Sequence, residues 1–297
     1  RWFAVAAVMV IGLGWRTVWS EEGLAKVEEE RGRALAAIKG ALSEGEQKEK
    51  SEVELKRGAY EKGMREALPW LKENVMLTRR FEGVLEKVDT IEDAKLGAKL
   101  LREALRDGEG VLEFRMVKEA ELPVGFPEPT PVGEVRLKKY PAYRMAAAKQ
   151  SGETFAFWTL FGHIKKNDIA MTAPVEMTFG ESEKEQGRMK QMAFLYGSQE
   201  IGQVGKDGAV NVVDVEPMMT VSIGMRGEAA ERGREEARRY LEEWLKEHAK
   251  EYRAAGPLRM MGYNSPGVVS GKRYFEFEIP VVGVEGEEEK TDSLNGR

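Results

Sequence analysis

Apolar residues recur every three or four positions through the first third of the chain, which is the spacing of amphipathic helices. Three stripes follow this spacing: Leu24, Val27, Arg31 (a charged interruption), Leu35, Ile38 and Leu42; Tyr60, Met64, Leu68, Leu71 and Val75; and Ile91, Ala94, Ala98, Leu101 and Leu105. Pro69 predicts a bend or a new helix start. Thr90 is the predicted cap of the third helix, and Gly108 or Gly110 its predicted end.

These stripes predict a charged helical arm over residues 21–110. The many Glu and Lys of the arm lie at helix-surface spacing, where pairing between positions i and i+4 explains them. The arm is either a spacer or stalk, with self-association through its narrow apolar faces, or an ordinary helical subdomain.

After Gly110 the pattern changes to short alternating segments. Residues 111–122 predict a strand, and 123–133 a loop punctuated by proline. A strand–helix–strand–strand order then occurs twice: 134–149, 152–166, 169–179 and 189–197, followed by 217–227, 228–252, 258–266 and 272–282. Residues 209–217 predict an extra strand, and 197–208 a flexible hairpin loop. The fold class is α+β, with a single curved or closed sheet over residues 111–284 and two helices on its surface.

The two ends differ from the rest. Residues 2–15 carry no charge, and Trp2, Trp15 and Trp19 stand near the ends of the run. Its length lies between a signal-peptide core and a full membrane span. We expect residues 1–20 to be a membrane anchor or a signal segment, with residues 2–19 in the membrane and the body outside the cytoplasm. Residues 285–297 are acidic and almost without apolar side chains, so they predict a disordered tail.

Composition narrows the chemistry. The chain has 297 residues, a net charge of -5 and no cysteine, which excludes disulfides, thiol nucleophiles and thiolate metal sites. There is no concentration of Lys and Arg, so nucleic-acid binding is not expected. With only His163 and His248, a histidine-rich metal site is excluded.

The helix predicted at 152–166 is apolar on more than one side. Phe157, Leu160, Phe161 and Ile164 form the expected inward face, whereas Phe155 and Trp158 point elsewhere. Such a helix must be covered on a second side, either by the arm or by a partner, the bilayer or a flat apolar ligand.

The sequence IAMTAPV at 169–175 resembles the signature of the SOUL haem-binding family. As in that family, it is preceded by a basic strand, EVRLKKYPAYRMA (134–146), and a short helix, and is followed by GYNSP (262–266) and KRYFEFEIPV (272–281). The resemblance covers roughly residues 111–284. It implies a distorted barrel-like sheet built from two strand–helix–strand–strand repeats, and non-enzymatic binding of haem or another tetrapyrrole in an apolar groove.

The resemblance places the tetrapyrrole against the helix at 152–166. It would touch Phe157, Phe161 and Ile164, or the opposite face at Trp158, with Met171 at its edge. Candidate partners for its propionates are Arg144, Lys165, Lys166 and Arg273. His163 lies on the same helix and is the candidate iron ligand, although a His near a helix C-terminus is also explained by the helix dipole.

Three other functions stay open. A similar domain can bind another amphipathic small molecule, or the arm can act as a scaffold. A hydrolase could use Glu176, Glu276 and Glu278, but alternation places Glu276 and Glu278 on one strand face, where we expect them to be solvated. The sequence shows no nucleophile–base pair and no phosphate loop, so an enzyme is not expected.

Overall fold

The computed structural model describes residues 21–49, 51–149, 152–180, 188–229 and 231–284. The predicted anchor at 1–20 and the predicted tail at 285–297 lie outside these ranges. Among the described residues, no helix combines the length and the apolar character that a bilayer crossing requires. The chain divides into two compact units, with the division between Glu113 and Phe114.

The first unit is helical. Its helices are α1 (Glu21–Gln47), α2 (Val53–Ala67), a 3-10 turn (Leu68–Trp70), α3 (Val75–Asp89) and α4 (Ala94–Leu112). One apolar core joins all four long helices, and Ile38, Met64, Phe81 and Leu101 are fully buried in it. Gly63 lets α1 and α2 approach closely, because a Cβ there would come 2.1 Å from the Cβ of Ala41.

Two boundaries of the arm differ from the sequence-based expectation. The prediction treated Val75 as part of the second stripe, but it begins a separate helix whose cap is Asn74, with the side chain accepting from the amide of Leu77. The cap of the following helix is Asp93 rather than Thr90, and the helix continues through Gly108. Gly108 does not end the helix because it faces the ring of Phe81, which an added Cβ would meet at 2.8 Å.

The second unit contains one ten-stranded antiparallel sheet and two long helices. Its elements are β1 (Val135–Tyr140), β2 (Tyr143–Ala148), α5 (Glu153–Lys166), β3 (Val175–Phe179), β4 (Met189–Leu195), β5 (Gly205–Asp207), β6 (Val210–Val215), β7 (Met218–Arg226), α6 (Glu231–Glu247), β8 (Tyr252–Ala254), β9 (Arg259–Gly262) and β10 (Tyr274–Gly283). The α+β class is therefore confirmed.

The strand order is β1-β7-β10-β9-β3-β4-β2-β6-β5, and β8 pairs with one end of β10. Within the described residues β1 pairs only with β7, and β5 only with β6, so the sheet is open. Of the two predicted alternatives, a curved or a closed sheet, the closed one is excluded for the described residues, because these two end strands do not pair with each other. Helix α5 packs on β2, β4 and β6, and α6 packs on β1, β7, β8 and β10.

Several predicted strands are shorter or absent. Residues 111–122 form no strand, since α4 runs to Leu112 and residues 113–122 have no helix or strand. The strand predicted at 134–149 is split at Pro141, which has no amide hydrogen to donate to a ladder. Residues 169–174 form a loop with a cis peptide bond between Ala173 and Pro174. The short strands β5 and β8 were not recognised, because they lie in segments predicted as a loop and as the end of a helix.

Candidate functional site

Helix α5 is held to the sheet by one apolar face. Ala156, Leu160 and Ile164 are buried in a cluster with Phe194 and Tyr196 of the β4 region. These positions follow the three–four spacing of the inward face of a helix. Ile164 is therefore part of the core beneath the helix, and the structure does not bring it to the helix surface.

Three rings of α5 form a contiguous aromatic patch, defined as Phe157, Trp158 and Phe161. The rings of Phe157 and Phe161 are stacked with centroids 6.1 Å apart. The indole of Trp158 stands edge-on to both, at 5.6 Å from each. Phe157 also meets the buried ring of Phe194 at 5.2 Å, which anchors the patch to the sheet. Trp158 is 61% exposed, so the patch presents an apolar surface to solvent.

Gly162 and Lys165 border the patch. An added Cβ at Gly162 would meet no atom within 4 Å, so no close contact requires this glycine. A glycine inside a helix costs about 1 kcal/mol relative to alanine, and here it leaves the helix surface flat beside Trp158. The Nζ of Lys165 lies 5.6 Å from the centroid of the Phe161 ring and places a positive charge at the border of the patch.

The signature loop, residues 168–174, connects α5 to β3. The amide of Ile169 donates to the carbonyl of Ile164, and the hydroxyl of Thr172 donates to the carbonyl of Leu195 at 2.6 Å. Met171 lies between these fixed points and is 36% exposed. The loop thus shapes the chain at the end of α5 and leaves a thioether at its surface.

His163 lies on the buried side of α5, and both of its ring nitrogens have partners. Nδ1 is 2.9 Å from Oδ2 of Asp207, and Nε2 is 2.8 Å from the hydroxyl of Tyr196. Lys166 donates to the other oxygen of Asp207 at 2.8 Å. Hydrogen bonds lower the pKa of Asp207 to about 2, with the largest effect from Lys166 and smaller ones from His163 and Asn167. The group joins α5 to β5, and an iron ligand at His163 would have to displace one of these partners.

The two arginines proposed for propionates are also engaged. Arg144 donates to both carboxylate oxygens of Asp214, at 2.7 and 3.0 Å, and to the carbonyls of Ile201 and Gly202. Arg273 donates to the carbonyls of Val268 and Pro266 and holds the loop before β10. The structure therefore brings together Phe157, Trp158, Phe161 and Lys165, whereas both guanidinium groups are committed to bonds within the chain.

The face of the sheet opposite the helices carries a buried ionic network. Glu276 and Glu278 lie on one strand face as predicted, but both are fully buried, so the expectation that they are solvated was wrong. Lys138 donates to both oxygens of Glu276 at 2.9 Å, and Arg259 bonds both Glu278 and Glu176 at 3.0 Å.

Tyrosines complete this network. The hydroxyl of Tyr140 donates to Glu278 at 2.6 Å, and that of Tyr143 bonds Glu176 at 3.1 Å. Tyr263 donates to Glu276, and Tyr274 to the carbonyl of Thr130. Burial alone would raise the pKa of Glu276. The positive charge of Lys138 and hydrogen bonds from Tyr263, Lys138 and Thr130 outweigh burial, so the pKa of Glu276 lies below its ordinary value. In the sequence, the alternation of Glu with aromatic residues in YFEFE (274–278) is the pattern that could have indicated buried carboxylates. All five side chains are buried in the structure.

The fold thus defines an α+β protein with an open antiparallel sheet, two helices on one face and an aromatic surface on one of them. Residues 132–278 match the sequence model of the SOUL heme-binding proteins, and this part of the chain belongs to that family. The resemblance seen in IAMTAPV is confirmed. No curated protein matches the chain.

The solved structures to which this chain is similar include EcmrR in a complex with DNA, with 15% identity over 51% of this chain and a TM-score of 0.40. That match covers 58% of the EcmrR chain, less than two thirds of its length. The isolated C-terminal domain of EcmrR has 14% identity, with 51% of this chain and 98% of that chain covered and a TM-score of 0.40. A hydrolase from Listeria innocua has 10% identity, with 52% of this chain and 94% of that chain covered and a TM-score of 0.39. With TM-scores below 0.5, these likenesses say nothing about what this chain binds.

Proposed function

We propose that this chain binds a tetrapyrrole, without enzyme chemistry, on the aromatic patch of α5. The observation that carries the proposal is the exposed indole of Trp158, in edge contact with two stacked phenylalanines. Helix α5 packs on the sheet without this third ring. Exposed apolar clusters of this kind are typical of binding surfaces.

The residues around the patch fit the macrocycle better than they fit its iron. Phe157, Trp158 and Phe161 offer apolar faces and edges to a flat ring. Met171, which is 36% exposed, is an adaptable thioether that we propose lies at the edge of the ligand. Lys165 supplies a cation for a propionate. Haem would bring redox and ligand-binding chemistry of its own, but His163 is bonded at both nitrogens, so we propose that the protein contributes apolar contact and charge rather than an imidazole ligand.

Titration of the full chain with haemin and with metal-free protoporphyrin tests this proposal. Apolar contact at about 25 cal/mol per Å² gives a modest affinity, and both compounds should bind in the micromolar range with similar affinity. The Trp158→Ser variant should bind at least about tenfold more weakly, as expected for loss of a central aromatic contact. If neither compound binds the intact chain, the tetrapyrrole proposal fails, and another amphipathic small molecule becomes the ligand to seek.

Two matched pairs of variants distinguish binding at a specific site from nonspecific hydrophobic binding. Phe155 is 65% exposed, as accessible as Trp158, but lies about 60° further round the helix, so Phe155→Ser should change affinity much less. Gly162→Gln should obstruct a flat ligand without disturbing the fold, whereas Gly162→Ala adds only a methyl group and should bind nearly normally. Equal losses in Trp158→Ser and Phe155→Ser would place binding away from the patch.

We also propose that residues 2–19 tether the protein to a membrane, with the second unit outside the cytoplasm. The support is the uncharged run with tryptophans near both ends, followed by Glu21 and Glu22. Self-association through the helical unit belongs to the same proposal, since Leu55 and Leu96 of that unit are exposed. Fractionation of the native protein tests the tether, and recovery of the full chain in the cytoplasmic fraction would refute it.

A further inference from the structure

The segment before β1, residues 121–133, lies on the charged face of the sheet and is named the strap here. It contains Pro123, Pro127, Pro129 and Pro131, and has no helix or strand of its own. Helices α5 and α6 cover the opposite, apolar face of the sheet. The strap therefore covers a face that carries buried tyrosines and carboxylates instead of an apolar core.

The C-terminal half of the strap is bound like a peptide in a groove. The amide of Thr130 donates to Oε1 of Glu276 at 2.6 Å, and its hydroxyl bonds Ser222 at 3.1 Å. The amide of Gly133 donates to the carbonyl of Gly224 at 2.8 Å. Gly224 is required there, because a Cβ would lie 2.1 Å from the carbonyl oxygen of Thr130. The sheet is thus shaped to admit an extended main chain at this point.

The tip of the strap contacts two tyrosines through the ring of Phe126. Phe126 meets the rings of Tyr140 and Tyr143 edge-on, with centroids 5.0 and 5.2 Å apart. A turn with Gly125 at φ +78° brings the ring into this position. Apart from that ring, the tip is attached by main-chain bonds from Val124 to Gly197 and from Ala173 to Glu121. Val124 is 77% exposed and Phe126 is half-buried, whereas Pro123 at the base of the tip is buried.

The two tyrosines are also held by bonds that do not involve Phe126. The Tyr140 hydroxyl is bonded to Glu278, and the Tyr143 hydroxyl to Glu176 and Arg259. The Arg259 guanidinium also lies 5.0 Å from the centre of the Tyr140 ring. Since these bonds do not involve the tip, we expect both rings to keep their positions when it leaves, which would preorganise the groove for a second occupant.

We propose that this tyrosine-lined face is a peptide-binding groove that the strap fills in cis and that a second proline-rich peptide enters when the tip is displaced. The ligand class is an extended segment with a phenylalanine and, four residues further on, a threonine, as in FPEPT of the strap. Proline-rich segments suit aromatic-lined grooves because their extended form is already set before binding.

Fluorescence anisotropy with a labelled peptide of residues 119–134 tests the proposal on the full chain. In the Phe126→Ala chain the internal competitor is weakened, so this chain should bind the peptide at least about tenfold more tightly than the wild type does. The same peptide with alanine at position 126 should bind neither chain measurably. The Val124→Ala chain changes an exposed side chain of the tip and should behave as the wild type.

Gly125→Ala provides a second route if Phe126→Ala does not fold. It strains the positive φ of the turn without altering either tyrosine, so it should also increase binding of the wild-type peptide. Cooperative urea unfolding establishes that each variant is folded. A folded Phe126→Ala or Gly125→Ala chain that binds no peptide, or that binds both peptides equally, would overturn the proposal.

Discussion

At the scale of single residues, His163 joins two elements through its imidazole. Its replacement by alanine leaves the buried hydroxyl of Tyr196 without this partner, which should lower the free energy of unfolding by about 1–3 kcal/mol. Protoporphyrin affinity should stay unchanged, because the imidazole lies beneath α5 and not on its aromatic patch. Urea unfolding and porphyrin titration measure the two effects.

The double variant with Tyr196→Phe is the control for His163. If the stability loss comes from the bond between these side chains, adding Tyr196→Phe to His163→Ala should cost less than Tyr196→Phe alone. Loss of porphyrin binding in a folded His163→Ala chain would instead assign the imidazole to the ligand.

Asp207 makes the same junction sensitive to acid. Lys166, followed by His163 and Asn167, holds its pKa at about 2, below the ordinary 3.8. A carboxyl with a lowered pKa in the folded state adds stability above its ordinary pKa and loses it as the pH falls toward the folded value. We expect the stability of the wild type to decline from about pH 4 toward pH 2 more steeply than that of Asp207→Asn. Parallel curves of urea midpoint against pH for the two proteins would contradict this.

At the scale of elements, two glycines of α2 should respond oppositely to alanine. Gly63→Ala should destabilise the helical unit by at least about 1–3 kcal/mol, because its Cβ would overlap that of Ala41 on α1. Gly58 is exposed, and an added Cβ meets no atom within 4 Å, so Gly58→Ala should stabilise the unit by about 0.5–1 kcal/mol. Thermal unfolding followed by circular dichroism checks both. A destabilised Gly58→Ala would show that the effect at position 63 is not one of packing.

The elements also show how much of the fold could be predicted from the sequence. Periodicity located α5, α6 and most strands, because their apolar faces repeat along the chain. It failed where the decision depends on distant contacts: Gly108 does not end α4 because Phe81 lies against it, and 111–122 alternates without a partner strand. At the site, the exposure of Phe155 and Trp158 could be predicted, because α5 has more apolar residues than one inward face needs. Phe157 and Phe161 were predicted on the inward face but are only half-buried, since Ala156, Leu160 and Ile164 fill the core there. The partners of His163, Arg144 and Arg273 could not, since Asp207, Asp214 and the carbonyls that bind them come from other segments.

At the scale of the whole molecule, the strap makes the second unit larger than its family match. A fragment of residues 114–284 keeps Thr130 and Phe126, and we expect it to unfold cooperatively on its own. A fragment of residues 132–284 contains nearly all of the matched region but loses the partners of Glu276, Ser222 and Tyr274. It should be less stable by at least about 2–3 kcal/mol, at about 1 kcal/mol for each lost hydrogen bond. Urea titrations of the two fragments measure the difference, and equal midpoints would argue that the strap is dispensable for folding.

The open sheet has a consequence for solubility, since unpaired strand edges can add strands from other molecules and start aggregation. Within the described chain β1 and β5 stand at the two ends of the strand order, and each carries an exposed lysine, Lys139 and Lys206. Strand β5 has only three residues, and Pro141 directly follows β1. Short length, proline and lysine all discourage further pairing. Replacing Lys139 and Lys206 together with valine should leave the fold intact but increase light scattering during concentration, compared with a double arginine variant that keeps both charges.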